Sequence, residues 1–277
     1  MLKQRIVTGA VLIAVATWGI LALPTAWFGL GLLLFVLVGA WEWGGLLGLA
    51  DQFMFRIGYC ALVLGITVLA WSLLDNQLFI GLVLTCAGLY WCSVLSWLWH
   101  YAADPHWRNP RSLRAIAGII TLVAPWVALM SLHGTPLFGP FYVLFLMGMI
   151  WIADSGAYFA GRRWGRHKLA PHISPGKTWE GVAGALLATL TFAALGAGAL
   201  GGLAENRWLP FVATCMAAVL FSIVGDLFES MIKRQHAVKD SGGLLPGHGG
   251  VLDRVDSLTA AAPVFLLGLQ AMVLWTH

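Results

Sequence analysis

Long apolar runs, separated by short polar segments, recur along the whole chain of 277 residues. Each run approaches the roughly 20 residues that an α-helix needs to cross a bilayer. The connections between the runs are too short for a separate soluble domain. We therefore predict an all-α, polytopic integral membrane protein, a single membrane domain over 1–277. Its nine predicted transmembrane helices cover 6–23, 27–49, 56–74, 78–99, 113–132, 141–161, 179–203, 208–228 and 256–275.

The composition agrees with this pattern. Hydrophobic residues make up 60% of the chain and charged residues 10%, and the mean hydropathy is +0.83. A soluble protein of this length has a much larger charged fraction. The composition therefore favours a protein whose function lies within the membrane or on its faces.

The basic residues predict an orientation, because Lys and Arg accumulate in short cytoplasmic loops. With the N-terminus inside, 15 of the 16 Lys and Arg residues fall on the cytoplasmic side, and only Arg207 falls outside. This distribution predicts a multi-pass protein of the inner membrane with its C-terminus outside. The net charge of +4 then requires no nucleic acid as a partner. We expect these loops to contact membrane lipids with anionic head groups.

Four acidic residues mark the ends of predicted spans at the inner face: Asp154, Asp226, Asp253 and Asp256. A carboxylate at membrane depth is costly, so it indicates a bound ligand. Carboxylates suit Mg²⁺, and neighbouring lysines and arginines suit phosphate oxygens. The pattern predicts a phosphate-and-metal site at the cytoplasmic edge of the bilayer. The alternative is that these residues are solvated helix ends or Asp–Arg pairs.

A second polar cluster, "HKLAPHISPGKTWEG", precedes the seventh span. Its "GKT" is similar to the end of a Walker A loop, but Pro171 stands where that loop requires glycine. We predict instead that Ser174 leads into a helix with Lys177 and Glu180 in the first turn. Such a helix N-terminus can bind phosphate. The alternative is that Lys177 only anchors the helix at the membrane interface.

The run "SMIKRQHAVKDSGGLLPGHGGVLDRVD", residues 230–256, resembles the signature of the phosphatidate cytidylyltransferases, or CDP-diacylglycerol synthases. The matching positions are Ser230, Lys233, Arg234, Lys239, Asp240, His248, Gly249, Gly250, Asp253, Arg254 and Asp256. Residues 154–165 and the segment "SPGKTWEG" also resemble family segments. The first 140 residues resemble the family only in being apolar. We therefore distinguish N-terminal helices, 1–140, from catalytic helices and a signature loop, 141–277.

The resemblance implies that the chain transfers CMP from CTP to phosphatidic acid, giving CDP-diacylglycerol and pyrophosphate. It also implies Mg²⁺, with a second cation in a paired centre, and it leaves a homodimer open. The implied metal ligands are Asp226, Asp253 and Asp256. The implied catalytic residues are Asp226, Lys233, Arg234, Lys239, Asp240, Asp253 and Asp256. The implied phosphate-binding residues are Ser174, Lys177, Lys233, Arg234, Lys239, His248 and Arg254.

Other classes of protein fit the sequence less well. A secondary transporter is expected to place its carboxylates near mid-membrane rather than at one face. An alcohol phosphatidyltransferase, which uses CDP-diacylglycerol, has an Asp-rich motif whose spacing is absent here. A nonenzymatic scaffold would leave the signature unexplained.

Overall fold

Helices form most of the residues that the computed structural model describes, which are 2–199, 207–244 and 249–274. The helices are α1 (Leu2–Ala22), α2 (Thr25–Gly44), α3 (Phe53–Ser72), α4 (Gln77–Ala103), α5 (Arg111–His133), α6 (Gly139–Trp164), α7 (Trp179–Ala199), α8 (Trp208–Gln235) and α9 (Leu252–Leu274). A π-helical turn, Gly45–Leu49, follows α2. Two strands, β1 (Lys168–Ala170) and β2 (Ser174–Thr178), connect α6 to α7.

The helices confirm the predicted membrane architecture. Within the described ranges, eight helices are long and apolar enough to cross a membrane, and α1 contains a shorter apolar stretch, Ile13–Ala22. Each predicted span overlaps one helix. The largest difference is in α8, which continues past 228 to Gln235. Hydropathy detects only the apolar part of a helix, whereas the backbone hydrogen bonds of α8 continue through its polar end.

The segment before α7 differs from the prediction, because Lys177 lies in a strand and not in a helical turn. β1 and β2 form an antiparallel hairpin in which Lys168 pairs with Thr178 and Ala170 with Ser174. The pairing continues to Trp179, whose N–H donates to the His167 carbonyl oxygen at 2.9 Å, so the helix begins only after Thr178. The Thr178 side chain then accepts a hydrogen bond from the Gly181 N–H at 3.1 Å, capping α7.

Close packing of α8 against α9 brings their acidic residues together. A Cβ atom placed on Gly225 of α8 would lie 2.6 Å from the Asp256 carbonyl oxygen of α9. Any larger residue at this position would force the helices apart, as is general where small residues form a membrane helix interface. Asp226, the next residue on α8, therefore lies beside Asp256.

Candidate active site

An open ion pair joins the hairpin to α8. The Lys177 ammonium on β2 lies 2.7 Å from Asp226 Oδ2, and the two side chains are 25% and 30% exposed. The other oxygen, Asp226 Oδ1, accepts a hydrogen bond from Ser230 Oγ at 3.3 Å. Because this pair is accessible, a ligand can reach both charges without unfolding the site.

Two further carboxylates surround the open pair. Asp154, on α6, and Asp256, on α9, each have Asp226 and Lys177 as charged neighbours. Three carboxylates from three helices therefore lie around one lysine. This excess of negative charge favours the binding of a cation among the carboxylates.

A closed ion pair lies about two turns further along α8, toward the C-terminal end of the helix. The Lys233 ammonium contacts Asp253 Oδ1 at 2.5 Å and Glu229 Oε1 at 3.1 Å. Lys233 is 8% exposed and Glu229 is 4% exposed. A buried charge is stable only when it is paired and hydrogen-bonded, so Lys233 and its two carboxylates depend on one another.

The second oxygen of Asp253 holds described residues of the signature loop, which is the segment between α8 and α9. Asp253 Oδ2 accepts hydrogen bonds from Ser241 N at 2.9 Å, Ser241 Oγ at 3.0 Å and Gly250 N at 2.8 Å. The contact with Gly250 satisfies an N–H just before α9, in the manner of a capping box. Asp253 therefore fixes the loop to the start of α9.

Glu42, on α2, reaches the same loop from the N-terminal half of the chain. Its carboxylate accepts hydrogen bonds from Val251 N and Leu252 N, both at 2.9 Å, and from Ser241 Oγ at 3.0 Å. We did not identify Glu42 from the sequence. An acidic residue inside the apolar run "LVGAWEWGG" was the signal that could have found it.

The remaining predicted residues lie around these pairs. Arg234 donates from Nε to the Ile173 carbonyl at 3.4 Å and thereby ties α8 to the hairpin. Lys239 and Asp240 are exposed after α8, Arg254 is exposed in the first turn of α9, and Ser174 is half-buried at the start of β2. His248 lies outside the described residues.

Asp226 and Asp253 differ in how readily they could bind a magnesium ion. Within the described residues, no group of three or more His, Cys, Asp or Glu side chains has the arrangement of a formed metal site. Asp226 is partly exposed and has one weakly hydrogen-bonded oxygen, so it fits a ligand of Mg²⁺. Asp253 would have to give up Lys233 or part of its bonding to the loop before binding a cation.

The family of this chain is shown by its similarity to known proteins. A model of the cytidylyltransferase family matches residues 3–272. The chain belongs to this family. Several relatives carry the name phosphatidate cytidylyltransferase, and three of them are compared with this chain. The protein of Pseudomonas aeruginosa is 42% identical over 275 residues, which cover 99% of this chain and 97% of the relative.

The other two relatives are similar over nearly as much of the chain. The Haemophilus influenzae protein is 38% identical over 284 residues, covering 96% of this chain and 97% of the relative. The Brucella melitensis protein is 36% identical over 274 residues, covering 96% and 92%. The similarity therefore includes the N-terminal helices, where the sequence by itself showed only apolar character.

Proposed function

We propose that this chain is a phosphatidate cytidylyltransferase, which transfers CMP from CTP to phosphatidic acid and releases pyrophosphate. The observation that carries the proposal is the Lys177–Asp226 pair, where the hairpin, α6, α8 and α9 bring basic and acidic groups together. The name shared by relatives that cover nearly the whole chain supports it.

In the proposed reaction an oxygen of the lipid phosphate attacks the α-phosphorus of CTP. The new P–O bond forms as the bond to the β-phosphate oxygen breaks, and pyrophosphate leaves with its electron pair. The lipid phosphate is already ionised, so the reaction requires no strong general base. Catalysis then depends on positioning and on cations that offset the developing charge.

The accessible basic side chains are assigned to the phosphates. Lys177 is the first of them, because its ammonium lies at the open pair, and Arg234 and Lys239 lie on the adjoining end of α8 and the segment after it. Lys233 is enclosed by Glu229 and Asp253. We therefore assign Lys233 to holding Asp253 in place rather than to contacting phosphate.

A magnesium ion remains part of the proposal. Asp226 and Asp256 are assigned as its ligands, with Asp154 beside them, and Asp253 joins them only by releasing Lys233. When bound, the ion would neutralise charge on the triphosphate and polarise its phosphoryl oxygens.

The proposed location is the inner membrane, with the active site facing the cytoplasm. The uneven distribution of basic residues supports this orientation. In a cysteine-free background, we expect Arg166→Cys to be labelled only from the cytoplasmic side and Asp75→Cys only from outside. Both positions are exposed. Labelling of Arg166→Cys from outside would contradict the orientation.

The direct test is synthesis by the purified protein in detergent, given phosphatidic acid, Mg²⁺ and CTP labelled at the α-phosphate. We expect a labelled lipid. CTP labelled at the γ-phosphate should give labelled pyrophosphate and no labelled lipid, and diacylglycerol in place of phosphatidic acid should give neither. No labelled lipid under varied detergents, together with ion-coupled uptake into vesicles, would favour a transporter instead.

A further inference from the structure

A buried carboxylate of the N-terminal half holds the start of α9. Glu42 is 3% exposed, and its two oxygens accept the N–H groups of Val251 and Leu252 separately. The first N–H groups of a helix have no partner within the helix, and a negative charge at that end is stabilised by the helix dipole. Glu42 therefore caps α9 from a different helix.

The Ser241 hydroxyl connects Glu42 to Asp253. Ser241 Oγ lies 3.0 Å from Glu42 Oε2 and 3.0 Å from Asp253 Oδ2. Since a hydroxyl carries one proton, it donates to one of these carboxylates at a time. The two acidic side chains thus hold the same loop residue, and movement of Glu42 would be transmitted to Asp253.

The glycines of the loop are required by the same contact. A Cβ atom on Gly250 would lie 2.6 Å from Glu42 Oε2, and one on Gly242 would lie 2.5 Å from Glu42 Oε1. By contrast, a Cβ atom on Gly243 would meet nothing within 4 Å. The loop therefore approaches the Glu42 carboxylate closely at two positions and is open at a third.

The opposite charge near Glu42 comes from Arg56 on α3. Arg56 and Glu42 interact electrostatically, and Arg56 Nε donates to the Trp41 carbonyl at 2.7 Å. The guanidinium also lies 3.9 Å from the centre of the Trp41 ring. Arg56 is thereby held by the residue next to Glu42, which fixes this part of α2.

We infer that Glu42 is a positioning residue of the active site: it places the start of α9 and Ser241 so that Asp253 and Lys233 keep their arrangement beside Asp226. The inference rests on the proposed function for its catalytic consequence. It gives the N-terminal helices a direct part in the site. Glu42 itself is separated from the substrate-accessible pair and acts through the loop.

The test compares Glu42→Gln and Glu42→Ala in the full-length protein. Gln retains the volume but has one acceptor oxygen, so it can accept from Val251 or Leu252 and its amide group opposes the other N–H. We expect kcat to fall roughly 10-fold for Gln and roughly 100-fold for Ala, because small misplacements of reacting groups have effects of this size. Glu42→Gln should melt at a lower temperature than the wild type, because one buried N–H loses its acceptor, but it should remain folded under the assay conditions.

Two glycine variants provide a matched control in the same loop. Gly250→Ala should lower kcat as Glu42→Gln does, because the added methyl group would meet both Ser241 Oγ and the Glu42 carboxylate and displace the loop from them. Gly243→Ala adds the same methyl group where there is space, and kcat should stay within about twofold of the wild type. Thr67→Val, which removes a buried hydroxyl from α3, controls for general loss of a buried polar group.

Hydrogen exchange of the peptide 249–256 provides a measurement that does not depend on catalysis. In Glu42→Gln the amides of Val251 and Leu252 should exchange faster, while the rest of α9 is unchanged. The wild type could make no labelled lipid while Glu42→Gln still exchanges faster at these amides. That result would support the structural role of Glu42 and contradict only the proposed function.

Three outcomes would overturn the inference. One is kcat within about twofold of the wild type in both Glu42 variants. Another is an equal loss of activity in Gly243→Ala and Gly250→Ala. The third is unfolding of both Glu42 variants, since Glu42 would then contribute to global stability rather than to the placement of Asp253.

Discussion

The two lysine–aspartate pairs of this protein have the same chemical composition but different surroundings. Lys177 and Asp226 come from a strand and a helix and are each about a quarter exposed. Lys233 and Asp253 come from α8 and α9, are about nine-tenths buried, and are surrounded by Glu229 and the signature loop. The difference teaches that the charged residues around this site divide into an accessible pair, available to substrate, and a buried pair, which maintains the site.

The largest effect is expected from removing the buried cation. Lys233→Met leaves Glu229 and Asp253 buried without a counter-ion, and breaking a buried pair in this way costs about 3–5 kcal/mol. We expect a lower melting temperature and loss of folded protein in detergent. Lys239→Met, at an exposed position, is the control and should melt as the wild type does. A wild-type melting temperature for Lys233→Met would remove the distinction between the two pairs.

The second-largest effect is expected on enzymatic activity when the open pair, Lys177 and Asp226, is broken. Lys177→Ala should lower turnover roughly 100-fold, which is typical for loss of one group that stabilises transition-state charge. Its stability should change by less than about 1 kcal/mol, because exposed ion pairs contribute little. Lys168→Ala, on the neighbouring strand, is the matched control. Normal turnover in Lys177→Ala would contradict a role in phosphate binding and would indicate that Lys177 only anchors the hairpin.

The third test compares Asp253 with Asp226 in their effects on stability and on Mg²⁺ dependence. Asp253→Asn places an amide group among the N–H donors of Ser241 and Gly250 and should lower stability by about 1.5–3 kcal/mol, as expected for hydrogen bonds to a charged group. Asp226→Asn should stay folded but require more Mg²⁺ for activity. The measurements are melting temperature and activity against Mg²⁺ concentration. The same loss of stability in both variants would contradict the comparison.

The smallest expected effect is a dependence on acid at the end of α8. Burial, with the nearby guanidinium groups of Arg114 and Arg108, lowers the pKa of His236, which contacts the Arg114 guanidinium. The unfolded chain then binds a proton more readily than the folded protein. The contribution of His236 to stability is therefore complete above about pH 6.5 and is lost as the pH falls toward the lowered pKa.

The test is the melting temperature between neutral and mildly acidic pH. His236→Gln should show a weaker decrease with acid than the wild type, and His172→Gln, at an exposed position, should follow the wild type. An unchanged pH dependence in His236→Gln would show that this end of α8 is insensitive to the protonation of His236.

Some features of the fold follow from local sequence properties. The positions of the helices are determined by apolar runs near the thickness of a bilayer, and every predicted span overlaps a helix. The signature residues were identified by their resemblance to a family pattern, and helical spacing predicted which of the acidic and polar residues of α8 share a face. Asp226 and Ser230 lie one helical turn apart, as do Glu229 and Lys233, and both pairs contact in the structure.

The hairpin shows where local reasoning failed. The glycine and lysine before α7 were interpreted as a helix start, but the chain pairs with β1 instead and Thr178 caps the helix one residue after Lys177. The strand is short, and its partner is a three-residue segment across a turn. A pattern of so few residues gives no periodic signal to distinguish a strand from a helix start.

The sequence by itself determined the helices, the concentration of charge near Asp226 and Asp253, and the residues from which a site could be built. Only the tertiary structure decided that Lys177 pairs with Asp226, that Lys233 is enclosed with Asp253, and that Glu42 joins the loop from a helix some 200 residues earlier in the chain. The physical reason is the distance along the chain over which each property acts. Hydropathy and helical period act over neighbouring residues, whereas the partner of a charge is set by how helices pack, which depends on small residues such as Gly225 at distant interfaces.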